Sequence, residues 1–232
     1  MARKKIVFVI VEGPSDETAL GLLLDKIFDT NSVYVKIWHG DVTSAPGVDT
    51  SNIVSKIGDV ITQYANANHY SKEHFQEIIH LIDTDGAFIT EENVVQDNMA
   101  IDPIYNLSEI RTAKKEEIVE RNKRKSSNMN KLSSCKSIWN IPYRAYYMSC
   151  NLDHVLYGKQ NSTDEEKEDD SYRFAKEYRN KIPEFIQFIS ESDFSVNGNF
   201  KESWDFIRKD KHSLERHTNF GLALKNSEEN NL

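Results

Sequence analysis

Cysteine is scarce in this chain: Cys135 and Cys150 are the only two. They form neither a zinc spacing nor the framework of a secreted, disulfide-stapled domain, so a cytoplasmic setting with reduced thiols is expected. Long apolar runs are missing too. None approaches the roughly 20 residues a membrane-spanning helix needs, so no membrane partner is expected. The run Ile6–Val11 follows the basic Met-Ala-Arg-Lys-Lys and ends in Glu-Gly. It reads as a buried strand rather than the core of a signal peptide. The seven histidines make no zinc spacing, and no G-x-x-x-x-G-K-[ST] phosphate loop occurs. Positive charge is in deficit, with 29 Lys and Arg against 37 Asp and Glu. Nucleic-acid binders are more often basic.

What is present is a chain of 232 residues, long enough for one sizeable core with an insertion or appendage. Residues 5–11 are apolar on both faces, as in a buried parallel strand. Ser15 is placed to cap a helix whose apolar face is Ala19, Leu20, Leu23, Leu24, Ile27 and Phe28. A break is expected at Asn31-Ser32, a second strand at Val33–Trp38 and a loop at 39–49. Ile53, Ile57, Val60, Ile61 and Tyr64 mark a second helix. A third strand follows at 77–82. The pattern is β-α-β-α-β, a parallel sheet of about four strands with covering helices.

From 87 to 141 the pattern lapses into a polar, basic insertion with a helix near 107–125. Tyr143–Met148 reads as a fourth strand, and a short helix is expected from about Asn151. The run Asp164–Asp170 reads as a solvated acidic loop. A helix over 171–190, broken at Pro183, and another over 202–225 complete the chain, with a frayed tail from Asn226. The division is a domain over 1–157 and a C-terminal extension over 158–232.

Two acidic motifs stand where strands run out: Glu12-Gly13-Pro14-Ser15-Asp16 and Asp83-Thr84-Asp85-Gly86. In open α/β sheets, ligands bind at the carboxyl ends of strands. Asp16 also suits the first turn of a helix, and Asp-Gly suits a turn, so each motif has a structural use. Together they deliver four carboxylates to one edge. That is costly without cations and suits a hard divalent ion.

Val11-Glu12-Gly13-Pro14-Ser15-Asp16-Glu17 followed by Leu81-Ile82-Asp83-Thr84-Asp85-Gly86 resembles a TOPRIM domain. The Glu12 and Asp16 pairing is most similar to the overcoming-lysogenization-defect (OLD) nucleases. The resemblance covers residues 5–157. It implies a catalytic set of Glu12, Asp16, Asp83, Asp85 and a later acid, matched by Asp153. It further implies one or two Mg²⁺ or Mn²⁺ ions, with Ser149 as an added oxygen. The activity implied is hydrolysis of phosphodiester bonds in nucleic acid, expected to be DNA, in defence against phage.

OLD nucleases carry an ATPase domain that this sequence lacks, so either the protein works alone or a separate ATPase subunit supplies that function; a homo-oligomer is a further candidate assembly. Lys114, Lys115, Arg121, Lys123, Arg124 and Lys125 lie in the basic stretch from Arg111 to Lys136, which holds nine Lys or Arg and three Glu. They are the expected phosphate contacts. The alternatives are an inactive TOPRIM-like module that binds a partner, or a phosphatase or phosphotransferase acting on a small substrate.

Overall fold

The computed structural model describes residues 4–28 and 33–224. The expected break at Asn31-Ser32 and the tail from Asn226 lie outside them. Four parallel strands form the main sheet: β1 (Lys5–Val11), β2 (Val33–His39), β3 (Phe75–Asp83) and β8 (Ile141–Met148). The order is β2-β1-β3-β8, with β7 (Ser137–Ile138) pairing antiparallel to the start of β8. That pairing draws Ile141 and Pro142 into a strand expected to begin at Tyr143.

β1 is buried throughout beyond Lys5, and its alternate residues serve two cores. Val7, Val9 and Val11 pack with helix α1 (Pro14–Ile27) through Leu20, Leu23 and Leu24. Ile6, Phe8 and Ile10 pack with helix α2 (Ile53–Ala67). Ile53, Ile57 and Ile61 recur every four residues on α2 and are fully buried. Each contributes about 1.5–3 kcal/mol of transfer free energy.

The expected insertion is more ordered than its polarity suggested. Strands β4 (Val94–Gln96), β5 (Ile104–Tyr105) and β6 (Ile110–Thr112) make a second, three-stranded sheet in the order β4-β6-β5. Helix α3 spans Lys115–Ser133, displaced from the expected 107–125 because 110–112 pairs as a strand.

Helix α4 (Leu152–Tyr157) is capped by Asn151, whose Oδ1 accepts from His154 N at 2.8 Å. The acidic run 164–170 is not a loop: it opens helix α5 (Asp164–Tyr178). Thr163 and Glu166 form a capping box there, and acids in a first turn complement the helix dipole. Helix α6 (Ile182–Glu191) begins with Pro183 in its first turn, which is the expected break. Phe174, Phe185 and Ile189 from α5 and α6 belong to the same apolar cluster as Val9 and Leu20.

The final expected helix is much shorter. α7 covers Phe200–Ile207, and Asp210 then turns the chain with φ of 49°. Residues 208–219 form a strap across the end of β8. Ser213 O accepts from Thr84 Oγ1 at 2.7 Å and from Cys150 N at 3.0 Å. Tyr147 N donates to Asn219 Oδ1 at 2.9 Å. Buried backbone polar groups need partners, and these outcompeted helical bonds.

Candidate functional site

Parallel register sets the site. Val11 pairs with His39, Ile10 with His80, and Asp83 with Met148. The residues just beyond β1, β2, β3 and β8 therefore arrive at one edge of the sheet. A cleft of about 890 Å³ opens there, and Glu12, Asp16, Asp41, Asp83, Asp85 and Asp153 all line it. Asp102 and Asp164 also contribute to its wall, and among the described residues Lys167 is the only lysine or arginine that lines it.

Local structure aims each acid. Gly13 caps α1 in place of the expected Ser15, and Asp16 Oδ2 accepts from Gly13 N at 2.8 Å. Glu12 Oε1 accepts from Asp83 N at 3.2 Å, which ties the two motifs together. Asp85 and Gly86 are both left-handed, with φ of 47° and 66°. A Cβ on Gly86 would meet Leu214 Cδ2 at 2.5 Å, so the bend after Asp85 needs glycine for space as well as for φ. Thr84 is buried and locked to Ser213 and Cys150.

Lys125 is the unexpected member. Its side chain is 0% exposed, and its Nζ donates to Glu12 Oε1 at 3.2 Å and to Asp85 Oδ2. It is a buried counter-ion of the acid cluster, not a surface contact for phosphate. The rest of the basic run disperses. Arg121 turns inward to Tyr105 Oη at 2.7 Å and the Asp85 carbonyl at 2.9 Å. Arg124 donates to Ser44 O at 3.1 Å. Lys114 and Lys123 are exposed but ion-paired with Glu117 and Glu91. Neither these nor Lys115 lines the cleft.

Ser149 also departs from its expected place. It is buried, and its hydroxyl is shared between the carbonyls of His212 and Glu215 in the strap, outside the cleft lining.

The charge balance leaves a mark on the acids. Burial, opposed by Lys125 and reinforced by Asp41 and Asp85, pushes Glu12 up to about 8. Burial pushes Asp16 up to about 6. Asp83 stands well above the usual carboxylate range through burial and the charges of Glu12, Asp16 and Asp85. Burial also raises Asp153. Asp41 runs the other way: burial is outweighed by Lys125 and by bonds from Ser44 and Thr43, which hold it at about 2. Lys125 is raised because Asp85, Glu12 and Asp41 outweigh its desolvation.

Two of these residues had a signal in the sequence. Ile118, Asn122, Lys125, Met129 and Leu132 share the buried stripe of α3, so Lys125 sits at helical spacing on an otherwise inward face. Asp41 follows a glycine directly after β2, much as an acid ends β1 and β3.

An all-oxygen, carboxylate-rich donor set suits Mg²⁺ or Mn²⁺. Among the described residues, though, no group of three or more His, Cys, Asp or Glu is placed to hold a metal as it stands. The ammonium of Lys125 lies between Glu12 and Asp85 instead. No described helix is long and apolar enough to cross a membrane. Comparison with protein-family models, curated proteins and solved structures finds no significant match.

Proposed function

We propose that this protein is a divalent-metal-dependent phosphodiesterase acting on nucleic acid, built on a TOPRIM-like domain. One observation carries the reading: Glu12, Asp16, Asp83 and Asp85 line a single cleft at the carboxyl ends of adjacent parallel strands, with Asp153 beside them. Six clustered acids against one buried ammonium leave a deficit that a bound cation would fill. Asp16, Asp83 and Asp153, which Lys125 does not bind, would hold it first, with Glu12 and Asp85 joining as their carboxylates turn.

When bound, Mg²⁺ or Mn²⁺ supplies a Lewis acid and an activated water for in-line displacement. In the metal-free cleft burial holds Glu12 near 8 while Asp83 N and Lys125 fix its carboxylate, so a cation that binds it would displace its proton. Lys125 orients Glu12 and Asp85 and offsets negative charge at the strand end.

A non-catalytic reading has its own support. The ammonium of Lys125 already neutralises part of the cluster, which suits a TOPRIM-like module that only binds nucleic acid or a separate ATPase subunit. The deciding experiment is a cleavage screen on supercoiled, linear and single-stranded DNA and on RNA, with Mg²⁺ or Mn²⁺, beside melting curves with each metal. Metal-dependent cleavage lost in Glu12→Gln supports the enzyme. Binding without cleavage supports the module. No cleavage, no binding and no metal-induced stabilisation would sink both.

A further inference from the structure

The loop from Asp97 to Leu107 adds only Asp102 to the acidic wall, yet its surface is unusual. Seven large hydrophobic residues are exposed among those described, and four of them, Met99, Ile101, Ile104 and Leu107, fall within this short segment. Scattered exposed apolar residues are ordinary; a concentration on one loop is not. Met99 is 89% exposed and Ile101 97%.

The loop is pinned, so this display is built in. Asp97 N donates to Thr112 O at 2.8 Å, and Asp97 Oδ1 accepts from Met99 N at 3.0 Å. Asn161 bonds both the N–H and the carbonyl of Tyr105 at 2.8 Å. Arg121 fixes the Tyr105 hydroxyl at 2.7 Å. Met99, Ile101 and Ile104 line the same cleft as the acids.

We propose that this loop is an apolar finger that receives unstacked nucleobases of a single-stranded segment entering the acid cleft. The inference rests on the nucleic-acid reading above and names the form of substrate. The acids repel phosphate except through a cation, and the finger, which holds no lysine or arginine, offers phosphate no positive charge. A base face gains from both: Met and Ile are side chains that wedge against unstacked bases, and a preformed loop loses little entropy in doing so. In an intact duplex the base faces are already covered by stacking, so the finger selects strands whose bases are free.

The test compares two short single-stranded oligonucleotides of equal length and charge, one carrying bases and one abasic throughout. Binding is measured by fluorescence anisotropy in Ca²⁺ on the full chain. The base-bearing strand is expected to bind about 10-fold more tightly, the scale of one base contact. Met99→Ser with Ile101→Ser should erase that preference and leave abasic binding unchanged, while Met99→Phe with Ile101→Phe should keep it. Equal binding of the two strands by the native protein would overturn the finger and leave the phosphodiesterase reading standing. Binding of neither strand would overturn the nucleic-acid reading and the finger with it. A serine variant that retains the preference also overturns the proposal. So does one that only converts a dimer to a monomer, since the loop would then join two copies of the chain.

Discussion

Within the cleft, Glu12, Asp41 and Asp85 face the ammonium of Lys125, whereas Asp16 feels the charge of Asp153, with Lys167 near both and Lys159 near Asp153. Asp83 lies between and feels both groups. The first group carries its own cation, fully buried and delivered by α3. The second is buried with less compensation. A sheet edge can thus be acidic for two reasons at once: part of it is internal ion pairing, and part of it is a deficit that invites a ligand.

The sharpest way to break this contrast is Lys125→Met. Removing one partner of a buried pair strands the other, so stability should fall by about 3–5 kcal/mol in urea denaturation. Adding Glu12→Gln should recover part of that loss. A variant as stable as the parent would mean that Lys125 does not neutralise the cluster.

Asp83→Asn probes the uncompensated side. Without metal it should melt higher than the parent, because one member of a repelling set is gone. With Mg²⁺ or Mn²⁺ the parent should gain about 2.7 kcal/mol at 100-fold excess over Kd, and the variant far less. An unchanged metal response would remove Asp83 from the ligand set.

The same acids set a pH dependence. Glu12 rises from an ordinary 4.5 to about 8, and Asp16 from 3.8 to about 6. Between those values the folded chain keeps protons that the unfolded chain has released. Their contribution is therefore full below the ordinary values and lost as pH rises through about 6 and then about 8. Asp41, held at about 2, acts oppositely but only in acid. The metal-free melting temperature should fall from about pH 5 to about pH 8, less steeply in Asp83→Asn. A flat profile would show that the acids are not held high.

The smallest effect belongs to the exposed end of the basic run. Lys123 is 65% exposed beside Glu91. Lys123→Ala should change stability by no more than about 0.5 kcal/mol. If it touches no phosphate, the slope of binding against salt should stay put; a loss of about 0.9 in that slope would restore it as a contact.

Where the sequence was legible, the pattern was strong and local. β1, β3, α1 and α2 show in runs and spacings that do not depend on distant residues, and both acidic motifs sit at the strand ends expected of them. The three short strands of the second sheet gave too few residues for alternation to show. Lys125 was misjudged because the surrounding charges dominate the composition of α3, although its spacing from Ile118 and Met129 marks the inward face. The strap could not be foreseen: its bonds join residues 84 and 213, and no local pattern encodes a partner so far along the chain.

That strap has a consequence for the order in which the molecule is made. Thr84 and Cys150 complete their hydrogen bonds only when Ser213 exists, and Gly86 is backed by Leu214. A growing chain can fold β1 to β8 while the Asp83–Asp85 turn still lacks its support, because contacts of long sequence separation form late. The cleft is then the last part of the molecule to mature. We expect a chain stopped before Ser213 to keep much of its sheet by far-ultraviolet circular dichroism while protease cuts near Gly86. Protection of that turn in the shortened chain would show that it closes without the strap.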